Sequence, residues 1–293
     1  MNAIASTLKV MRKSPPGHIF DLDKQPINQL DHPDTQKLIT RCRKELDAVG
    51  CAVIRNLVLP KSLTRMQAEA ERLMDQTYWS EDSHTPYLTK DNPSLPADHP
   101  KRFFQKREGG FINSDILDAD SDLRAIYASH AMLKFVSECF GVFPIYCWAD
   151  PLGCNPYSVM DDTHYFPWHF DGNDFTVSIL VQEADEGGVF EYVPDIRNPE
   201  SENFDSVKAI LNGGREGIQS LELRPGDVQL FKGRFSLHRV TSVHGAKKRI
   251  IALPTYVVDP FTVNRPERAK RFYGRAMPIH YQREQHRSDT LTD

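Results

Sequence analysis

The chain lacks any uncharged apolar run approaching the roughly 18 residues that span a bilayer. A membrane protein is therefore not expected. It also lacks a dominant charge: 36 Lys and Arg face 40 Asp and Glu, for a formal net charge of -4. Nucleic acid and anionic membranes select basic surfaces, so neither is expected as the main partner. Cysteine is sparse and poorly arranged for cross-linking. The five residues Cys42, Cys51, Cys139, Cys147 and Cys154 are odd in number and contain no CxxC pair. A disulfide framework and a zinc–thiolate site are disfavoured, and a reducing cytoplasm is the simpler setting. Small buried hydrophobes account for most of them. Internal repeats and low-complexity segments are missing too. The start, MNAIASTLKVMRKSPPG, lacks the positive-then-apolar-then-small order of a secretory signal and reads as frayed.

What remains is an ordinary globular composition. The 293 residues are 40% hydrophobic and 26% charged, enough to bury a sizeable core in one large domain or two. The first part reads mainly as helices. Pro33 to Gly50 carries Leu38, Ile39, Cys42 and Leu46 on one face, and Gly50 is a stop. CAVIRNLVL is a β-branched strand. Pro60 to Trp79 reads as a second helix and Asp122 to Phe140 as a third, closed by Gly141. Between them, Ser80 to Lys101 is rich in Pro, Asp and Ser and reads as a long loop, either a lid or a solvated linker. After Pro144 the character changes. Short apolar or alternating runs, from PIYCWA to RIIALPTYVV, are divided by GCNP, DEGG, RPGD and HGAKK. That pattern predicts an antiparallel sandwich or barrel, interrupted by a short helix around Phe204 to Leu211. The basic ERAKRFYGRA near the end again looks helical. The expected division is a helical region integral to the fold over 1–143, a β core over 144–262, and a C-terminal helix and tail over 263–293. Whether RFYGRAMPIHY packs over that core or across a homodimer is left open.

Within the β-rich part, PWHFDG puts His169 and Asp171 on one face of a strand, because successive side chains alternate. An imidazole nitrogen and a carboxylate oxygen side by side supply two ligands to one ion. Alone, this HxD reads equally as an aromatic strand running into the turn Asp171-Gly172-Asn173. GDVQLFKGRFSLHRVTSV adds His238 at the start of another strand. A second histidine completes the 2-His-1-carboxylate face that holds Fe(II) and leaves positions open for a 2-oxo acid and dioxygen. Arg249 follows after one hairpin and opens the apolar run RIIALPTYV. A guanidinium drawn into an interior needs an anion, and the far carboxylate of 2-oxoglutarate is suited to bidentate pairing. Taken singly, His238 is a half-buried strand histidine and Arg249 a salt-bridge partner. Together with HxD they form a specific pattern.

The stretches WHFDGNDFTVSILVQ, EGGVFEYVPDIR and LRPGDVQLFKGRFSLHRVTSVHGAKKRIIALPTYV, with RFYGRA, resemble the Fe(II)/2-oxoglutarate-dependent oxygenases. More narrowly, the sequence is similar to the branch containing the free-amino-acid radical halogenases and their hydroxylating relatives. The resemblance covers much of residues 145–276 and implies an α+β fold. Its centre would be an antiparallel double-stranded β-helix (jelly-roll, cupin-like) core with a helical N-terminal region packed on it. It also implies His169, Asp171 and His238 as iron ligands and Arg249 as the 2-oxoglutarate anchor. Gly187 and Gly188, with Phe190 and Tyr192, would border the site. The halogenases of this branch lack the ligating carboxylate, where halide binds. Asp171 stands there in this chain, so hydroxylation of an unactivated C–H bond is expected. The same cofactors would serve desaturation or cyclisation. A small, amino-acid-like substrate is implied, and His164, Asn173 and Asp174 are the candidates to hold it. Tyr165, Phe166, Trp168, Phe170 and Phe175 fit a dry pocket and core packing equally.

Other readings stay in view. A macromolecular substrate would ask for a basic face. A catalytically silent metal-binding jelly-roll sensor has no need of all four residues. A zinc hydrolase leaves Arg249 without a role and offers no general base.

Overall fold

The computed structural model describes residues 17–173 and 175–283. The sequence reading of the N-terminal start and the placement of Asp174 lie outside them. No helix among the described residues is long and apolar enough to cross a membrane.

The chain begins with α1 (Pro33–Val49), which starts on Pro33 and stops at Gly50, whose φ of 65° suits a residue without a Cβ. Then come β1 (Cys51–Ile54), α2 (Pro60–Arg72), β2 (Tyr78–His84) and β3 (Gln105–Ile112). Two helices follow, α3 (Asp122–Tyr127) and α4 (His130–Phe140). The core strands are β4 (Tyr146–Cys147), β5 (Tyr157–Met160), β6 (Phe166–His169), β7 (Thr176–Gln182), β8 (Glu186–Gly187) and β9 (Phe190–Val193). After α5 (Phe204–Leu211) come β10 (Gln219–Leu221), β11 (Val228–Phe231), β12 (Leu237–Val240), β13 (Val243–His244), β14 (Arg249–Ala252) and β15 (Tyr256–Val257). Two helices, α6 (Pro266–Tyr273) and α7 (Pro278–Gln282), end the described chain.

The strands pair antiparallel. A seven-stranded sheet runs β1-β11-β7-β14-β5-β3-β2, and a four-stranded sheet runs β10-β9-β12-β6. This is the double-stranded β-helix, with helices α1, α2 and α4 laid on the large sheet. Strand alternation decides what each side sees. On β7, Val177, Ile179 and Val181 join the helix-side core, while Thr176 and Ser178 face a cavity between the sheets. The same split holds on β11 (Val228 and Leu230 against Gln229 and Phe231) and on β14 (Ile250 and Ala252 against Arg249 and Ile251). Each large aliphatic buried on the helix side contributes about 1.5–3 kcal/mol. One face therefore supplies stability, and the other is free to carry polar groups.

Three elements differ from the sequence reading. The helix from Pro60 ends at Arg72, and Tyr78 to His84 is a strand rather than the end of a helix and the start of a loop. Its full ladder with β3, Tyr78↔Phe111 to His84↔Gln105, satisfies the backbone that a polar composition had suggested was solvated. The helix expected over 122–140 is two helices. Ser129 breaks it by capping the second, its hydroxyl accepting from Met132 N at 3.2 Å. The region 1–143 thus contributes three strands, β1, β2 and β3, to the large sheet as well as its helices.

The end of the chain packs back on the same molecule. Ala269, Phe272 and Tyr273 of α6 are buried against Phe111 and Leu152. Asp150, fully buried, accepts from Leu152 N (2.9 Å), Gly153 N (2.8 Å) and Asn264 N (2.9 Å). It also meets His280 Nε2 at 3.1 Å. His280 Nδ1 accepts from Met277 N, so Nε2 carries the hydrogen donated to Asp150. This pair fastens α7 and the 258–265 segment over the open end of the barrel.

Candidate metal centre

His169 ends β6 and His238 lies on β12. The two strands are neighbours and the two histidines are direct cross-strand partners. Their rings lie 4.0 Å apart between centroids. Each Nδ1 sits against a carbonyl: His169 on Pro167 O at 2.8 Å and His238 on Ser236 O at 2.9 Å. A carbonyl can only accept, so Nδ1 carries the hydrogen and Nε2 keeps its lone pair for a ligand. Burial, together with the neighbouring His238, pushes His169 well below its ordinary value, which favours the neutral ring that metal binding requires.

Asp171, two residues past His169, completes the group. Its Oδ1 is 3.8 Å from His169 Nε2 and 3.4 Å from His238 Nε2. One donor atom from each of the three lies within 4.8 Å of the others. Asp171 Oδ2 accepts from Thr176 Oγ1 at 2.5 Å, and Asp171 N donates to Gly233 O at 3.1 Å. Burial alone would raise this carboxyl. The facing His238 and His169 rings and the hydroxyl of Thr176 outweigh it, leaving the group well below the usual carboxylate range. Gly233 makes the placement possible, since a Cβ there would lie 1.9 Å from Asp171 Oδ2. Two imidazole nitrogens and one carboxylate oxygen converging from one side suit a divalent first-row metal and leave its far side open.

That far side opens into a cavity of about 540 Å³, within the range of small-molecule sites. Arg249 reaches it from β14. Its guanidinium is buried, 8% exposed, and has no carboxylate or hydrogen-bond partner among the described residues. Burial pushes its pKa down to about 10, the cost of an uncompensated buried cation. Gly188, at φ 68°, gives it room, because a Cβ there would meet Arg249 Cδ at 2.7 Å. Gly187 similarly admits Ser242 O, 1.9 Å from its would-be Cβ. At the edge beside Phe190 and Tyr192, one glycine thus admits a side chain and the other a backbone carbonyl. Ser158, Ser178 and Gln229 add polar groups to the lining.

The remaining expected residues are spread more widely. Asn173 lines the cavity; His164 does not. His164 Nδ1 accepts from Asp161 N at 3.2 Å and its ring packs edge-on against Trp79. Phe166 and Phe175 line the cavity, whereas Trp168 and Phe170 belong to a second core with Tyr87 and Leu237. Arg107, on β3, is buried behind the wall with its guanidinium 4.5 Å from the Phe166 ring and 4.6 Å from Phe272. Of the 80–101 segment only Leu88 lines the cavity. The mouth is built instead by residues 258–265, α6 and Arg283. Sequence reasoning missed Thr176, Gly233 and this C-terminal wall. The period-2 alternation of β7 and β11 signals Thr176, Ser178 and Gln229; spacing gives no signal for Gly233.

Residues 34–262 match the model of a family described as halogenase D. The chain belongs to the halogenase D family. No curated protein matches its sequence. Among solved structures, it is similar to AviO1 from Streptomyces viridochromogenes, with a TM-score of 0.53 and 15% identity over 77% of this chain and 96% of that one. SnoK, an alpha-ketoglutarate-dependent carbocyclase from nogalamycin biosynthesis, gives a TM-score of 0.52 and 13% identity, covering 76% of this chain and 85% of that one. The epimerase SnoN of the same biosynthesis gives 0.51 and 14%, covering 76% and 81%. At such identities the likeness is one of fold. This halogenase D family member has the jelly-roll shared by those proteins, with a His-Asp-His cluster at its centre.

Proposed function

We propose that the chain is an Fe(II)/2-oxoglutarate-dependent dioxygenase that hydroxylates an unactivated C–H bond of a small polar molecule, such as a free amino acid or a derivative. His169, Asp171 and His238 would hold Fe(II), and Arg249 would hold the far carboxylate of 2-oxoglutarate. The observation that carries this reading is a conjunction. A three-donor face with an open side and an unpaired buried guanidinium look into one cavity, and a zinc hydrolase or a silent binder has no use for that guanidinium.

When bound, Fe(II) and 2-oxoglutarate would supply the dioxygen activation that no side chain can perform. The protein's part is positioning. The carbonyls of Pro167 and Ser236 hold both imidazoles in the ligating tautomer. Thr176 and Gly233 hold Asp171 in reach of the same point. The guanidinium fork of Arg249 would take a carboxylate bidentately in a site shielded from water, where charge-assisted bonds are strong. Phe166, Phe175, Phe190 and Phe231 supply apolar walls between the polar groups of the lining.

Asp171 supports hydroxylation over halogenation. Halide transfer needs a metal position free of protein ligand, and here a carboxylate held by the Thr176 hydroxyl stands where that position would be. Family membership alone would suggest the opposite outcome. The test is product analysis under isotope-labelled dioxygen with excess chloride. The expected product carries one labelled oxygen atom and is formed with stoichiometric succinate. A chlorinated product would contradict the hydroxylase assignment, and release of no succinate with any small polar molecule would contradict the enzyme.

A further inference from the structure

The cavity has a second cationic end. Arg268, on α6, lies against the backbone one residue beyond Asp171: a Cβ on Gly172 would come within 2.6 Å of Arg268 Nη1. Its guanidinium rests 5.6 Å from the Phe272 ring and is half-buried. It has no hydrogen bond or ion pair with any described residue. Arg265, one turn earlier, also lines the cavity without an ion pair. The nearest carboxylate among the described lining residues, apart from Asp171, is Asp259, which already accepts from Phe261 N at 2.9 Å.

The lining also carries buried donors that nothing answers. Trp148 Nε1 and Asn264 Nδ2, both on cavity-lining residues, are buried hydrogen-bond donors without a partner. Unpaired buried donors are costly and point to a ligand that brings acceptors. Charge balance gives the same sign. With the metal and cosubstrate of the proposed function in place, the dipositive ion and Arg249 offset Asp171 and the two carboxylates of 2-oxoglutarate. The arginines at the mouth are then the excess charge.

We propose that Arg268 is the receptor for a carboxylate on the substrate, and that Gly172 is glycine so that this guanidinium can stand beside the metal. A planar fork matches a carboxylate bidentately, and its position one residue from Asp171 would hold the reacting carbon a short chain away from the open metal face. The inference rests on the metal and cosubstrate reading above and deepens it, by requiring an acid rather than a neutral or purely cationic substrate. Arg268 is here a binding residue, in contact with substrate but with no part in the metal or cosubstrate sites.

The test uses the full chain loaded anaerobically with Fe(II) and 2-oxoglutarate. The probes are the common L-amino acids, each paired with its carboxamide, and the readout is displacement of the metal-to-ligand charge-transfer band. The expected result is that only free acids shift the band. In Arg268→Ala the unperturbed band should be as in wild type, while the half-saturating acid concentration rises by roughly tenfold to a hundredfold, the range for losing a charged hydrogen-bond pair. Arg268→Lys, which keeps charge but loses the fork, should fall between. The proposal is overturned if carboxamides act as well as acids, if Arg268→Ala responds like wild type, or if every acid is silent against a well-formed band. Absence of the band itself in wild type overturns the underlying metal reading instead.

Discussion

Gly233→Ala tests how the carboxylate of Asp171, the proposed metal ligand, is held. A Cβ at 233 would stand 1.9 Å from Asp171 Oδ2 and 2.7 Å from its Cγ, whereas ordinary contacts begin near 3.4 Å. The carboxylate must therefore retreat by about 1.5 Å, the difference between 3.4 and 1.9 Å. That retreat breaks the 2.5 Å bond from Thr176 and moves Oδ1 off the point it shares with the two Nε2 atoms. Disturbing a group that orients a metal ligand costs about 10–100-fold in metal affinity. Anaerobic Fe(II) titration at fixed 2-oxoglutarate should show a loss of that size, with far-UV circular dichroism unchanged. The strain itself should destabilise the metal-free protein by about 1–3 kcal/mol, as overpacking does. Removing the clashing group should remove the strain. In the Asp171→Gly background, which also removes the Cβ that would lie 3.0 Å away, the same Gly233→Ala change should leave stability within about 0.5 kcal/mol. Wild-type metal affinity in Gly233→Ala, or an equal stability cost in both backgrounds, would refute the proposed steric link.

Three further outcomes follow from the same contacts. Arg249→Met should raise the KM for 2-oxoglutarate by roughly a hundredfold in a succinate assay, yet should not lower the melting temperature of the metal-free protein, because it deletes an unpaired buried charge. His84 is fully buried with Nε2 unpartnered, and burial drops its pKa to about 4. The unfolded chain protonates first as pH falls below about 6.5, so this contribution is present at neutral pH and is lost on acidification. The loss amounts to about 2 kcal/mol by pH 5, and the stability gap between wild type and His84→Asn in urea titrations should narrow by that amount between pH 7 and 5. Asp150→Ala strips partners from three backbone N–H groups and His280. It should cost about 3 kcal/mol and expose the segment after Val258 to limited proteolysis.

Much of the site was legible because its signals are local. HxD is read from strand alternation, and Gly50 and Gly141 from helix ends. Arg249 stood out by opening an apolar strand. What stayed hidden depends on contacts between segments distant in sequence. Nothing in the composition of Tyr78 to His84 announces a strand, because its order comes from pairing with β3. Ser129 interrupts a helix that periodicity carries straight through. Gly233 and Gly172 matter only because Asp171 and Arg268 are folded against them, and His164, three residues before PWHFDG, turns away to cap its own turn.

The most direct measurement is the anaerobic visible spectrum of the purified chain with Fe(II) and 2-oxoglutarate. The account predicts a weak metal-to-ligand charge-transfer band that appears only when both are present and is lost in His169→Ala, Asp171→Ala and Arg249→Ala. A folded, iron-loaded wild-type protein that develops no band, or a band that survives loss of Asp171 and Arg249 together, would contradict it.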